Sequence, residues 1–228
     1  MRDNPPSQAV VPGGFLEALP RESATRLLAE AIAIDVPAGS IVYREDEAPR
    51  VIVVVSGLLR VFLHAPDGRQ LTVRYARPGD VAGLPLVLGG PAPLSIEALM
   101  PSSLVALRPD TLRSLLGVDA RVARACVDVL TRQFREVVDD LAGQAFQTVG
   151  QRLARHLLDL AQPADHLLVV TASQQQLADA VGSVREVVAR VLREFRDEGL
   201  VRTGRDRIVI TDAARLSRLV AGGLEGTG

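Results

Sequence analysis

Lysine is absent from this 228-residue chain: all 26 basic residues are arginine, set against 27 acidic ones for a net charge of -1. A chain so nearly neutral has no global attraction for nucleic acid, so any binding of that kind must come from a local patch. The single cysteine, Cys126, excludes an internal disulfide framework and any cluster held by several thiolates. Three histidines, His64, His156 and His166, are scattered without metal-ligand spacing, so no metal site is expected. No apolar run approaches the roughly 18 residues that a membrane span needs, and the opening MRDNPPSQ lacks the apolar core of a signal peptide; a cytoplasmic protein with no membrane partner is expected. Neither G-x-S-x-G, nor a P-loop, nor a dinucleotide glycine pattern occurs, which argues against the common enzyme classes. What remains is an ordinary globular composition, 47% hydrophobic and 23% charged, long enough for one large domain or two modest ones.

From Ile34 to about Arg108 the pattern is short β-type runs divided by turn signals: IVY, RVIVVV, LLRVFLH, RQLTVRYA, VAGLPL, SIEALM and SLVAL. Ala65-Pro66-Asp67-Gly68 has proline second and glycine last, as a type I turn prefers, and joins LLRVFLH to RQLTVRYA in a hairpin. Arg77-Pro78-Gly79-Asp80, with Pro-Gly at its centre, reads as a type II turn. Seven or more short strands with no helix between them predict a jelly roll or barrel rather than a βαβ sheet. A small helix, Glu17 to Ala33, is expected to precede them.

At Asp119 the period changes. Val127, Leu130, Phe134, Val137 and Leu141 recur at spacings of 3, 4, 3 and 4, a heptad seam in a run from Arg121 to Gln144 that holds no proline and one glycine. Such a seam on a long helix predicts a homodimer. Cys126 lies beside it and reads as a small buried hydrophobe, with a redox-sensing thiol as the alternative. Further on, Arg152 to Ala161 is amphipathic and closed by Pro163, Ser173 to Ala180 is a short helix, Leu200 to Thr211 is a hairpin, and Asp212 caps a last short helix.

Between the short helix and the hairpin lies GSVREVVARVLREFR. At 100° per residue, Val184, Val187, Val188, Val191, Leu192 and Phe195 form one apolar stripe, while Arg185, Glu186, Ala189, Arg190, Arg193 and Arg196 fall on the opposite side. Ser183 followed by Glu186 predicts a capping box that starts the helix at Ser183. Charge patterning alone permits a plain solvated face. The spacing of Ala178, Gly182 and Val188 changes that, because a helix-turn-helix needs a small residue at the crossing, a glycine at the turn and a branched apolar residue in the second helix. The arginine face is then free to enter a major groove, with Arg202, Arg205 and Arg207 on a wing-like hairpin. From Ser183 to Ile210 there are seven arginines against five acids, a local excess suited to phosphate contacts.

The ordered combination of PAGSIVYREDEAPRVIVVVSGLLRVF, DGRQLTVRYARPGD, QAFQTVGQRLARHLLDLA and QLADAVGSVREVVARVLREFRDEGLV resembles the catabolite activator/fumarate-nitrate regulator (CRP/FNR) family of bacterial transcription factors over nearly the whole length. Asp46 departs from that family, which usually has glycine there. The resemblance implies an α+β chain with a cyclic-nucleotide-binding-type β jelly roll over residues 1–118, a long dimerisation helix over 119–149 and a winged helix-turn-helix over 150–228. It implies double-stranded DNA carrying an inverted repeat, a second copy of the chain and RNA polymerase as partners, and no cofactor. Arg185, Glu186 and Arg190 match the base-reading positions of the catabolite-activator subtype, whose half-site resembles TGTGA. Ser173, Gln174, Gln175 and Ser183 match positions near the phosphates, Arg202 and Arg205 belong to the wing, and Val184 stands where a hydroxyl would contact phosphate.

The expected effector pocket comprises Gly83, Leu84, Leu94, Ser95, Val137 and Val138. Leu84 and Leu94 stand where relatives that bind cyclic nucleotides carry a glutamate for the ribose and an arginine for the phosphate, and Val137 and Val138 replace hydroxyl residues that meet the base. Four polar contacts have thus become apolar, so cyclic AMP and cyclic GMP are not expected to bind. A constitutive regulator with a collapsed pocket, a sensor of an apolar ligand, and a haem sensor remain open. A cupin-type enzyme is the alternative from another class, with only His64 in the strand region to support a metal.

Overall fold

The computed structural model describes residues 11–45, 47–64, 70–90, 93–164, 166–204 and 207–221. Two compact units emerge, one from residues up to Leu63 together with Val73–Val137, the other from His64–Thr72 together with Val138 onward.

The first unit opens with α1 (Arg21–Ala29), and among the described residues eight strands follow, lying in it except for His64 and Gln70–Thr72 at the adjoining ends of β4 and β5: β1 (Ile32–Val36), β2 (Ile41–Tyr43), β3 (Val51–Ser56), β4 (Leu59–His64), β5 (Gln70–Ala76), β6 (Val81–Ala82), β7 (Leu94–Ala98) and β8 (Ser102–Leu107). They form two four-stranded sheets ordered β1-β8-β3-β6 and β2-β7-β4-β5, the halves of the jelly roll. The strands' apolar residues feed two clusters, one around Leu27, Val51, Leu84 and Leu112 and one around Tyr43, Leu59 and Ile96. The expected helix from Glu17 to Ala33 is shorter than its period suggested. Ile32–Val36 pairs antiparallel with β8, Ile32 opposite Ala106 and Val36 opposite Ser102, so a strand partner overrides helical continuation.

The run VAGLPL is not one strand, and the strands are not free of helix. Only Val81 and Ala82 pair, with Val53 and Ile52; α2 (Leu84–Gly89) then begins with proline in its first turn. Gly83 makes that switch at φ +81°, where an added Cβ would meet the carbonyl oxygen of Arg50 at 1.9 Å, so no side chain fits. The expected type II turn is present: Gly79 has φ +91° and Asp80 N donates to Arg77 O at 2.9 Å. The expected Ala65–Gly68 turn and the Asp46 position lie outside the described residues.

Next come α3 (Pro109–Val118), which no sequence pattern had signalled, and α4 (Ala120–Phe146), 27 residues and so about 40 Å long. Val122, Ala125, Cys126, Val129 and Gln133 of α4 are buried. Val127, Phe134, Val137 and Leu141 are exposed, with Phe134 at 68% and Leu141 at 67%. Helical geometry sets them roughly 100° around the helix from the buried stripe.

In the second unit α5 (Val149–Leu160), α6 (Gln174–Val181), α7 (Arg185–Asp197) and α8 (Ala213–Ala221) pack around a sheet ordered β11-β12-β10-β9, from β9 (Gln162–Ala164), β10 (Leu167–Thr171), β11 (Val201–Gly204) and β12 (Arg207–Ile210). The strand pair β9 and β10 adds to the expected hairpin. Thr148 and Gln151 cap α5 reciprocally, and the carboxylate of Asp212 accepts from Arg215 N at 2.9 Å, as expected for the cap of α8.

Candidate nucleic-acid interface and sensor cavity

Helix α6 is fixed at both ends. The Ser173 hydroxyl accepts from Gln176 N at 3.2 Å while Ser173 N donates to Gln176 Oε1 at 2.8 Å, so two otherwise unpartnered groups satisfy each other. At the far end Gly182 takes φ +62°, and Ser183 N donates to Ala178 O at 2.9 Å. Ala178 and Val188 are fully buried, which lets α6 and α7 approach closely.

The start of α7 corrects the expectation of a Ser183 cap. Ser183 N is engaged at the end of α6, Val184 is the extended residue before the helix, and no side chain caps α7. The Ser183–Glu186 capping box does not form, since Ser183 stands one residue too early. Val184, expected on the apolar stripe, is 56% exposed for the same reason. The rest of the stripe behaves as its period requires, with Val188, Val191, Leu192 and Phe195 buried.

Arg185, Glu186, Arg190, Arg193 and Arg196 are exposed on the other side of α7. The Arg190 guanidinium is 3.9 Å from Glu194, a loose pair one helical turn apart that leaves it able to reorient. Ser173, Gln174, Gln175, Arg185, Thr203 and Gly204 line one hollow of about 370 Å³. The fold therefore gathers the starts of α6 and α7 with the strand hairpin. Gln175 is steadied by its amide donating to Asp179 at 2.8 Å. Arg202 is exposed on β11 and Ser183 is half-buried in the turn; Arg205 lies outside the described residues.

Arg152 was not singled out from the sequence. Its Nε donates to Val181 O at 3.0 Å and its Nη1 to Gln147 O at 2.7 Å. It thus places a cation at the carbonyl ends of α6 and α4, where helix dipoles favour it, although burial lowers its pKa from the usual arginine value. An arginine followed directly by the apolar pair Leu153-Ala154 was the available signal. On the same helix His156 is buried, and burial, aided by Arg155 and Arg152, pushes its pKa down to about 4.

In the first unit a cavity of about 390 Å³ lies between the sheet strands, α2 and α4. Of the expected effector residues, Gly83, Leu94 and Val137 line it. Leu84 is fully buried in the cluster that includes Phe15 and Val51, Ser95 is buried outside the lining, and Val138 is exposed on α4. Two polar side chains that sequence reasoning passed over, Arg74 and Gln133, also line the cavity. Arg74 Nε donates to Glu136 Oε2 at 3.0 Å and its Nη2 is 3.7 Å from Asp80 Oδ2. Gln133 Nε2 donates to Val81 O at 2.9 Å. The cation therefore faces two carboxylates, the nearer one Glu136. Cys126 packs in the core, and burial pushes its thiol up to about 11, which suppresses the thiolate that redox chemistry needs. Among the described residues no group of three or more His, Cys, Asp or Glu could hold a metal ion, and no helix is long and apolar enough to cross a membrane.

Residues 33–119 match the cyclic nucleotide-binding domain family and residues 151–219 the Crp-like helix-turn-helix domain family. The chain is similar to a CRP-like cAMP-activated global transcriptional regulator of Mycobacterium tuberculosis, 29% identical over 213 residues that cover 90% of this chain and 95% of that one. It is 32% identical over 191 residues to the transcriptional regulator LdrP of Thermus thermophilus, covering 82% of this chain and 95% of that protein. A solved transcriptional regulator of the CRP/FNR family from Thermus thermophilus superposes with a TM-score of 0.71 at 27% identity, covering 83% of this chain and 98% of that chain.

Proposed function

Because the chain belongs to the CRP/FNR family of DNA-binding transcription regulators, we propose that it binds an inverted repeat as a homodimer and reads a half-site resembling TGTGA without cyclic AMP. The observation that carries this reading is the outward face of α7, where Arg185, Glu186 and Arg190 stand exposed while Val188, Val191 and Leu192 anchor the helix. Arginine can bond G O6 and N7 together and glutamate can accept from C N4, each contact contributing about 1–3 kcal/mol of discrimination. Ser173, Gln174, Gln175 and Ser183 would take phosphates, Arg202 and Arg205 would take backbone from the wing, and the uncapped amides at the start of α7 favour an anion. Of the expected seam, Val127, Phe134, Val137 and Leu141 are exposed and support the dimer, whose partner helix would remove them from water, whereas Leu130 is half-buried against the core of its own unit. RNA polymerase is the further partner expected of such a regulator.

Independence from cyclic AMP rests on the cavity. Most of its lining is apolar and offers nothing to a ribose or a base, and Arg74, the cation among the described lining residues, is paired with Glu136 and Asp80. An open cavity of about 390 Å³ favours a sensor of an apolar effector over a collapsed pocket. No His, Cys, Met or Tyr lines it among the described residues, so a haem would find no axial ligand there. The test is selection of bound sequences from a random pool of duplex DNA, with and without cyclic AMP, joined to calorimetric titration of the protein with cyclic AMP. An inverted repeat is expected in both selections, with no heat of nucleotide binding. Micromolar affinity for cyclic AMP would overturn the reading of the effector.

A further inference from the structure

The carboxylates that neutralise Arg74 are held unequally. Asp80 Oδ2 also accepts from Arg77 N at 2.8 Å within the type II turn, a second contact that holds it in place. Glu136 Oε2 meets Arg74 Nε at 3.0 Å, yet its side chain is 43% exposed and can swing to water. The Arg74 side chain itself is only 9% exposed, and a buried guanidinium keeps its charge at tolerable cost only while an anion faces it. Around it the cavity offers Val61, Leu86, Leu94, Ile96 and Phe134, while the Gln133 amide is engaged with Val81.

We propose that this cavity accepts a compact apolar carboxylic acid whose carboxylate displaces Glu136 from Arg74. The proposal rests on the reading of the cavity as the effector site and adds the chemistry of what enters it. The exchange conserves charge, since one carboxylate arrives at the guanidinium as another departs to solvent. A planar carboxylate matches the guanidinium fork, and an apolar body suits walls that would leave hydroxyls or ring nitrogens without partners. The volume lies near the lower end of the roughly 300–1,000 Å³ spanned by ligand sites, which calls for a small molecule. Glu136 sits on α4 between Phe134 and Val137, so its release unties β5 from the helix that carries the proposed dimer seam.

Calorimetric titration of the full-length protein tests this with octanoate and para-propylbenzoate against octanol and para-propylbenzyl alcohol, which have the same bodies without the charge. At least one acid should bind about tenfold more tightly than its alcohol, as a charge-assisted contact requires. Glu136→Gln should tighten that acid by a further several-fold and leave its alcohol unchanged, because the competing charge is gone. Arg74→Gln should erase the preference for the acid; if that variant does not fold, the Glu136→Gln comparison decides alone. Acid and alcohol binding equally, or Glu136→Gln leaving the acid unaffected, overturns the displacement while the cavity stands as a ligand site. Absence of binding by all four probes overturns the reading of the cavity as an apolar effector site as well.

Discussion

The amide of Ser183 donates to the carbonyl of Ala178 at 2.9 Å, closing α6 and turning the chain into α7. The bend depends on Gly182, whose φ of +62° lies in the left-handed region. A Cβ there would be strained and would sit 3.2 Å from Gln144 Oε1. Gly182→Ala is therefore expected to destabilise the protein by about 1–2 kcal/mol. Thermal melting followed by circular dichroism measures this, and an unchanged midpoint would mean that the turn tolerates a side chain.

The exposed seam of α4 predicts self-association. Leu141→Asp should leave the fold intact, because Leu141 is exposed in the single chain, and yet should place an unpaired charge in a dimer interface at a cost of several kcal/mol. Phe134→Asp should do the same, with the added effect of altering the cavity that Phe134 lines. Sedimentation equilibrium at micromolar concentration separates the cases. Dimers that persist in both variants would move the interface elsewhere.

How much of this was legible beforehand depended on the range of the interaction that decides each feature. The helices α4 and α7 were readable because long, strongly periodic segments announce themselves, and the polar face of α7 followed from its apolar one. By contrast α2 and α3 are short. Leu84–Gly89 is an apolar run whose period cannot separate helix from strand, and only proline in its first turn hinted at the answer. The C-terminal boundary of α1 is not written locally, because pairing of Ile32–Val36 with β8 is a long-range event. The contact between Arg74 and Glu136 spans 62 positions. Nothing near either residue marks it, since the folded sheet is what brings β5 to α4.

His156 supplies a pH prediction. Its pKa is lowered from 6.5 to about 4, first by burial and then by Arg155 and Arg152. The folded state therefore binds this proton less readily than the unfolded chain does. The corresponding stability is fully present above pH 6.5 and is lost as pH falls toward 4, by roughly 3 kcal/mol in all. Urea unfolding of the wild type should weaken over that window, and His156→Gln should flatten the slope. Parallel slopes in the two proteins would remove His156 as the cause.

Base reading by α7 is tested most directly by comparing Arg190→Ala with Arg202→Ala across a panel of duplexes substituted one base pair at a time, each measured at several salt concentrations. The loss of Arg190 should cost about 1–3 kcal/mol per half-site and relax preference at one base pair. The loss of Arg202 should weaken all duplexes alike and reduce the salt slope by about one unit per site. If the two variants lose base preference equally, or if Arg190→Ala weakens every duplex to the same extent, α7 does not read bases as proposed.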